Sequence, residues 1–382
     1  MRFCLTFSFI ATTTTGFEDI AAWEVEKLIG AKARQLHGKI LFEASINQVV
    51  ELNIWSRTLH RIILLLCRDR VETLEDVYRV TASIDFTDYI ERGQSFAVRA
   101  ERIGEHPFTS IDVAAKAGQA VIDSFMSKTG HRLKVNLDKP DVEIFCQLKN
   151  SDFYIGLNTT GESLHRRNYR VFDHPAALKT TIASAMIYWS DWSCEEPILD
   201  PMCGGGTIPI EAALIARNIA PGLFRREFAF GKLFFIDRQY YEEAVEKARS
   251  SSNRNSYRIY GSDISPKFIE GAWRNATSAG VEDTVKFCCV DATKLDRVED
   301  LEVKYVVVNP PYGIRSLRDK VVERLYVNFL SALKRKSRGL LVAITASDEE
   351  FKRALDVNGL EVLGVKRVFH GALLTSVFKC AF

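Results

Sequence analysis

The residues Asn309-Pro310-Pro311-Tyr312-Gly313 follow a run of core-type residues, Tyr305-Val306-Val307-Val308. Each proline fixes its own φ, lacks an N–H, and drives the residue before it out of helical conformation. The stretch is therefore expected to be a strand ending in a stiff, extended stub. In open α/β sheets the carboxyl ends of the strands form the rim that binds ligands. Asn309 offers a side-chain carbonyl there, and Pro310 a backbone carbonyl. Two convergent acceptors suit a planar exocyclic amine, because each takes one N–H and the nitrogen lone pair is left facing an electrophile. Tyr312 can lie flat on the ring that carries the amine. The plainer alternative is a proline-rich turn closing a core strand.

Acidic residues stand at matching places upstream. Residues 197–200 read as a short strand, followed by the turn Pro201-Met202-Cys203-Gly204-Gly205-Gly206-Thr207 and a helix over 208–217. Glycines there let a ligand approach backbone N–H groups near a helix N-terminus. Asp200, Met202, Cys203, Gly204, Gly205 and Thr207 are the candidate contacts. The spacing does not meet the dinucleotide fingerprint G-x-G-x-x-G, and helix–strand packing alone can require such glycines. Asp263, followed by Ile264, lies past a strand over 257–261 and can accept both ribose hydroxyls of a nucleoside. Capping a helix is its other possible role. Asp291, followed by Ala292, ends a strand over 285–290 and can hold an adenine amine. An insertion over 220–252 opens with Phe224, Arg225, Arg226, Phe228 and Phe230, and Phe230 is expected at the mouth of the pocket.

The elements that must position these groups form a doubly wound sheet. Strands over 339–345, 360–369 and 373–382 complete it, the last two pairing around Gly371. Seven strands with acidic residues after the first three fit an S-adenosylmethionine (SAM) methyltransferase better than a six-stranded nicotinamide domain. Upstream, strands over 2–10, 38–42 and 57–67 alternate with helices ending at Ile29 and over 46–53, a small α+β ferredoxin-like pattern. A second module has a strand over 95–102 carrying Arg99 and Arg102. It continues with a helix over 110–126 capped by Ser110 and ended near Gly130, then a hairpin around Asn150-Ser151. Residues 161–170 hold Arg166, Arg167 and Arg170 with His165 and Tyr169, which suits phosphate contact and stacking, or a solvated linker. A helix over 175–189 leads into the second half.

Composition sets limits. The 382 residues carry a net charge of +2, so any basic surface must be local. Eight cysteines and seven histidines are scattered, without the spacing of a zinc site, and no metal is expected. Residues 3–10 are too short to span a bilayer and lack the basic start and cleavage site of a signal peptide. A cytoplasmic protein with no membrane partner is expected.

With the stretch from Leu199 to Thr207, Asp263, Asp291 and Asn309 to Gly313, the second half resembles the THUMP-domain RNA guanine-N2 methyltransferases. Asn309-Pro310-Pro311-Tyr312 is similar to motif IV of class I amino-methyltransferases. Residues 161–167 and 175–179 resemble the family's link between RNA-binding and catalytic parts, so the likeness spans essentially the whole chain. One departure is the Met202-Cys203 start of the glycine turn. The resemblance implies a ferredoxin-like domain over 1–65, a THUMP domain over 66–158, a linker over 159–180 and a Rossmann-like catalytic domain over 181–382. It implies SAM as cofactor and tRNA as partner, with N2 of guanosine at position six of the acceptor stem as target and no obligate protein partner. Arg99, Arg102, Arg166, Arg167 and Arg170 would meet the RNA, and a guanine in a duplex would have to be flipped out. A 23S rRNA substrate is the alternative. DNA adenine-N6 or protein glutamine methylation leaves the N-terminal half without a role. A non-catalytic RNA-binding factor is the rival from another class.

Overall fold

The computed structural model describes residues 6–299, 301–312 and 319–382. Residues 2–5 of the first expected strand, and Gly313, lie outside the described residues. The N-terminal half runs β1 (Phe7–Thr13), α1 (Glu18–Ile29), β2 (Ala33–Leu36), β3 (Lys39–Ala44), α2 (Ile46–Trp55), β4 (Leu59–Arg70), α3 (Leu74–Ala82), β5 (Ser95–Ile103), α4 (Ser110–Thr129), β6 (Lys134–Val135), β7 (Val142–Lys149) and β8 (Asp152–Asn158). Local chemistry sets most of the limits. Gly30 closes α1 in the left-handed region at φ 71°, its N–H on the Glu26 carbonyl, a conformation glycine adopts without penalty. Helix α4 is capped by Thr109 rather than Ser110, because the helix puts Asp112 three residues on and the two side chains cap each other. The β7–β8 hairpin turns at Asn150, which takes φ 52°.

These strands form one eight-stranded sheet in the order β2-β3-β1-β4-β8-β7-β5-β6. Strand β4 joins its two halves, pairing with β1 from Leu59 to Leu64 and with β8 from Ile63 to Arg70. The domain limit at 65/66 therefore falls inside a shared strand, at the register shift between Leu65 and Cys67 in its pairing with β8.

The second half runs α5 (Thr180–Trp189), β9 (Ile198–Asp200), α6 (Thr207–Ala216), α7 (Arg238–Ser250), β10 (Ile259–Asp263), α8 (Pro266–Ser278), β11 (Val285–Cys289), β12 (Tyr305–Val308), α9 (Asp319–Lys336), β13 (Leu340–Thr345), α10 (Asp348–Asn358), β14 (Glu361–His370) and β15 (Leu373–Ala381). Its sheet order is β11-β10-β9-β12-β13-β15-β14. The pairs from β11 to β13 are parallel, and β15 is antiparallel to both its neighbours. Along β12 the side chains alternate between two cores, Val307 with Val342 and Ile344 on one face, Val306 and Val308 with Leu341 and Phe329 on the other. Chain order reverses between β9 and β12, and that switch opens a crevice at their carboxyl ends.

Two expectations fail here. Helix α5 starts at Thr180 rather than 175, because Lys179 is extended (φ −62°, ψ 135°). The insertion does not reach the pocket mouth either. Phe230 is fully buried in the core of the N-terminal half, stacked on Phe228 at 5.0 Å, with its N–H on the Thr159 carbonyl at 2.8 Å. Large flat aromatic surface is most stable in a core, and the nearest open core belongs to the other half.

A buried ionic brace joins the halves. The Arg57 guanidinium donates to the carbonyls of Leu214 and Ile219, at 3.1 and 2.8 Å. Arg167 donates to the Arg57 carbonyl at 2.7 Å and pairs with Glu211 at 3.4 Å. Glu211 also accepts from Tyr169 and Ser184, at 3.0 and 2.7 Å. Arg167 is only 3 % exposed, so it is part of this brace and not a surface contact for RNA. Removing one partner of a buried ion pair costs about 3–5 kcal/mol because the other charge is left uncompensated. Glu211→Ala is thus expected to lower the denaturant midpoint markedly, and an unchanged midpoint would show that the pair contributes nothing net.

Candidate active site

A cavity of about 420 Å³ lies over the carboxyl ends of β9, β10, β11 and β12. Asp200, Met202, Cys203, Gly204, Gly205, Thr207, Asp263, Ile264, Asp291, Ala292 and Asn309 all line it, as do Pro310 and Tyr312. Of the cofactor candidates only Phe230 is elsewhere.

The glycine turn is a close-fitting cradle. Gly206 has φ 79°, and a Cβ there would stand 3.0 Å from that of Ala272. Asp200 is buried and accepts the Met202 N–H at 3.1 Å. Burial, with the nearby Asp263 charge adding to it, pushes its carboxyl well above the usual carboxylate range. Burial likewise raises the Cys203 thiol, which makes it a wall of the cavity and not a nucleophile. Asp263 accepts the Gly204 N–H on one oxygen at 3.0 Å and the Ser265 N–H on the other at 2.9 Å. It ties the turn to the start of α8, and each oxygen keeps a further lone pair. Asp291 accepts both the hydroxyl and the N–H of Thr293, at 2.7 and 2.9 Å. The Thr293 hydroxyl leads in holding its carboxyl below the usual range.

The stub beyond β12 is buttressed from behind. Tyr326 of α9 donates to the Pro311 carbonyl at 3.1 Å and meets Thr345, at the end of β13, at 3.0 Å. Asn309 directs its Nδ2 toward the Ala176 carbonyl at 3.4 Å and accepts the Tyr312 hydroxyl on Oδ1 at 2.9 Å. Burial pushes the Tyr312 phenol up to about 12.

His174, Ala176, Ala177, Leu178 and Phe268 also line the cavity and were missed from sequence. The first four belong to a strap in the place of the expected helix start. Asn275 of α8 pins that strap, accepting the N–H groups of Val171 and Phe172 and donating to the carbonyls of Phe172 and Gly205. Pro175 gave no warning, since proline is favoured at the first position of a helix.

The candidate RNA contacts divide. Arg99, near Glu143, and Arg166, paired with Glu162 at 2.5 Å, are exposed. Arg102 is half-buried against the Gly104 carbonyl at 2.8 Å. Arg170 turns inward to the Leu178 carbonyl and to Thr207 at 2.9 Å, so it braces the strap against α6. A larger polar groove of about 950 Å³ lies between the β7–β8 side, the linker and the insertion. Arg61, Lys139, Arg225, Arg226 and Lys232 line it together with acidic residues.

A seven-stranded sheet of this order, with an acidic, glycine-cradled cavity at its switch point, defines a class I SAM-dependent methyltransferase. The cradle, the Asp263 and Asp291 carboxylates and the cavity volume fit an adenosine-bearing cofactor. Residues 167–376 match the model of the RMKL-like methyltransferase domain, residues 71–158 that of the THUMP domain, and residues 8–63 that of the RlmL ferredoxin-like domain. The chain belongs to the THUMP-containing RMKL-like RNA methyltransferases. The tRNA (guanine(6)-N2)-methyltransferase of Methanocaldococcus jannaschii is 43 % identical over 97 % of this chain and 98 % of its own length. Its namesake from Archaeoglobus fulgidus is 44 % identical, covering 97 % of this chain and 91 % of that one. Among solved structures, SMU.472 in complex with SAH superposes with a TM-score of 0.86 at 26 % identity, covering 98 % of this chain and 97 % of that one.

Two substitutions separate cofactor contact from core packing. Asp263→Ala is expected to weaken SAM binding about tenfold or more, the scale of a charge-assisted hydrogen bond at roughly 1.5–3 kcal/mol. Phe230→Ala is expected to cost about 3–5 kcal/mol of stability with SAM affinity retained. Calorimetric titration and denaturant melts read both, and weak SAM binding by a folded Phe230→Ala protein would return that ring to the site.

Proposed function

We propose that this protein transfers the methyl group of SAM to the exocyclic N2 of guanosine at position six in the tRNA acceptor stem, acting in the cytoplasm. The observation that carries the chemistry is the orientation of Asn309. Its Nδ2 is engaged by the Ala176 carbonyl, which leaves Oδ1 as the accepting end of the amide in the cofactor cavity that Pro310 also lines. The activity for which the two relatives that match nearly end to end are named supports the substrate.

SAM, when bound, supplies an electrophilic methyl group. The protein's part is positioning and electrostatics. Asn309 and the Pro310 carbonyl each accept one N–H of the target amine and aim its lone pair across the cavity. Tyr312 stacks on the flipped guanine and offsets part of the cost of unstacking it. No base need act before attack, because the amine proton becomes acidic only as the C–N bond forms. The THUMP unit grips the acceptor end, with the exposed Arg99 and, from the linker, the exposed Arg166 as phosphate contacts.

Methyl transfer from labelled SAM to unmodified tRNA transcripts, followed by nucleoside mass spectrometry and site mapping, tests the proposal. N2-methylguanosine at position six is expected. Label confined to large-subunit rRNA would move the substrate, and label in neither RNA would overturn the RNA reading. Asn309→Ala should lower the methyl-transfer rate by about a hundredfold or more with SAM affinity unchanged. Loss of SAM binding would instead make Asn309 a cofactor residue.

A further inference from the structure

The Tyr312 hydroxyl stands between Asn309 and His370. It donates to Asn309 Oδ1 at 2.9 Å, and Nδ1 of His370 lies 3.4 Å away. His370 ends β14, just before the chain turns at Gly371 with φ 68°. By sequence it is one residue of a hairpin tip, and no step described above uses it.

Its position matters because the acceptor on Asn309 is contested. The carbonyl oxygen that receives the target amine already holds a phenol hydroxyl, so an entering base must share that oxygen or displace the hydroxyl. A displaced, buried hydroxyl without a new acceptor costs the desolvation penalty of an unmade hydrogen bond, and that cost would fall on the reactive complex. We propose that His370 is a positioning residue that accepts the Tyr312 hydroxyl when the base enters, releasing the Asn309 carbonyl to the target amine. This rests on the assignment of Asn309 as the amine acceptor.

No proton changes owner. The phenol keeps its hydrogen, and one hydrogen-bond acceptor replaces another. The handover needs the neutral tautomer that carries its hydrogen on Nε2 and leaves the Nδ1 lone pair free, and the surroundings keep the ring neutral. Burial, reinforced by the Lys179 charge at the start of α5 and by Arg170 from the linker, holds His370 below the ordinary imidazole range, against an opposing contact with the Ala177 backbone. Among the described residues the charged groups acting on the ring are thus cations, and the phenol of Tyr312 is its neutral titratable neighbour. Protonation would make both ring nitrogens donors. The imidazolium would then donate to the phenol oxygen and pin the hydroxyl on Asn309.

The test compares single-turnover methyl transfer to tRNA by wild type, His370→Leu, His370→Asn, Tyr312→Phe and the double variant His370→Leu/Tyr312→Phe, from about pH 4 to 8, so that the window extends below the ordinary imidazole range. SAM affinity is measured alongside. His370→Leu should slow transfer about tenfold, the loss of one acceptor, with SAM binding within about twofold. His370→Asn, which keeps a carbonyl near the Nδ1 position, should recover most of the rate. Wild type should lose rate on acidification only below the ordinary histidine range, and His370→Asn should lack that acid limb. In the Tyr312→Phe background, where no hydroxyl needs an acceptor, His370→Leu should add nothing. Multiplicative effects of the two substitutions, a wild-type rate in His370→Leu, or an unchanged acid limb in His370→Asn would each overturn the proposal. Asn309→Ala, assayed in parallel, separates the two levels. If it retains turnover, the amine-acceptor assignment itself fails. If it is inactive while His370→Leu is not impaired, only the role of His370 is lost.

Discussion

Glu211 is a fully buried carboxylate on α6, and the groups that satisfy it come from other parts of the chain, Arg167 and Tyr169 from the linker and Ser184 from α5. A charge removed from water must be paired and hydrogen-bonded, so these segments have little freedom to move apart. Arg167 extends the constraint to the Arg57 backbone, and Arg57 returns it to the carbonyls at the end of α6. Linker, N-terminal sheet and catalytic sheet therefore meet at one polar centre. Phe228 and Phe230, sent from the catalytic half into the other core, reinforce the same junction. The RNA-binding unit and the cavity are held in one relation, as a reaction on a single nucleotide of a folded RNA requires.

The cavity depends on that junction through the strap. Arg170 and Asn275 hold the strap against the glycine turn, and Ala176 in the strap orients the Asn309 amide. Cofactor cradle and amine acceptor are thus parts of one hydrogen-bonded structure. Tyr326 and Thr345 support the proline stub from the opposite side. The Tyr312 hydroxyl, on Asn309 and within reach of His370, links this structure to the tip of the closing hairpin.

Elements with strong local signals were legible in the sequence. The β12 strand with its proline stop, the β7–β8 hairpin at Asn150, the Gly30 cap and the closing pair at Gly371 all follow from residues whose conformational limits act over a few positions. Weakly patterned pieces were not legible. Strand β2 is four residues long and depends on pairing with β3. Helix α3 is set by a Thr73–Asp76 capping box that its mixed composition obscured.

The same division runs through the site. Carboxylates after successive strands, glycines in the first turn and an amide before two prolines are local facts with a chemical meaning, and together with the strand order they determine the class of reaction. Which cations face solvent is not a local fact. Arg166, Arg167 and Arg170 lie within five positions of one another, yet one is exposed, one pairs with a buried carboxylate and one braces the strap. His370 and Ala176 reach the reacting groups from segments distant in sequence, which no periodicity can show. By itself the sequence determined the chemistry, because that chemistry is carried by residue types at strand ends. Tertiary structure decided which charges are structural and which groups surround the acceptor, because burial and long-range contact exist only once the two halves are packed together.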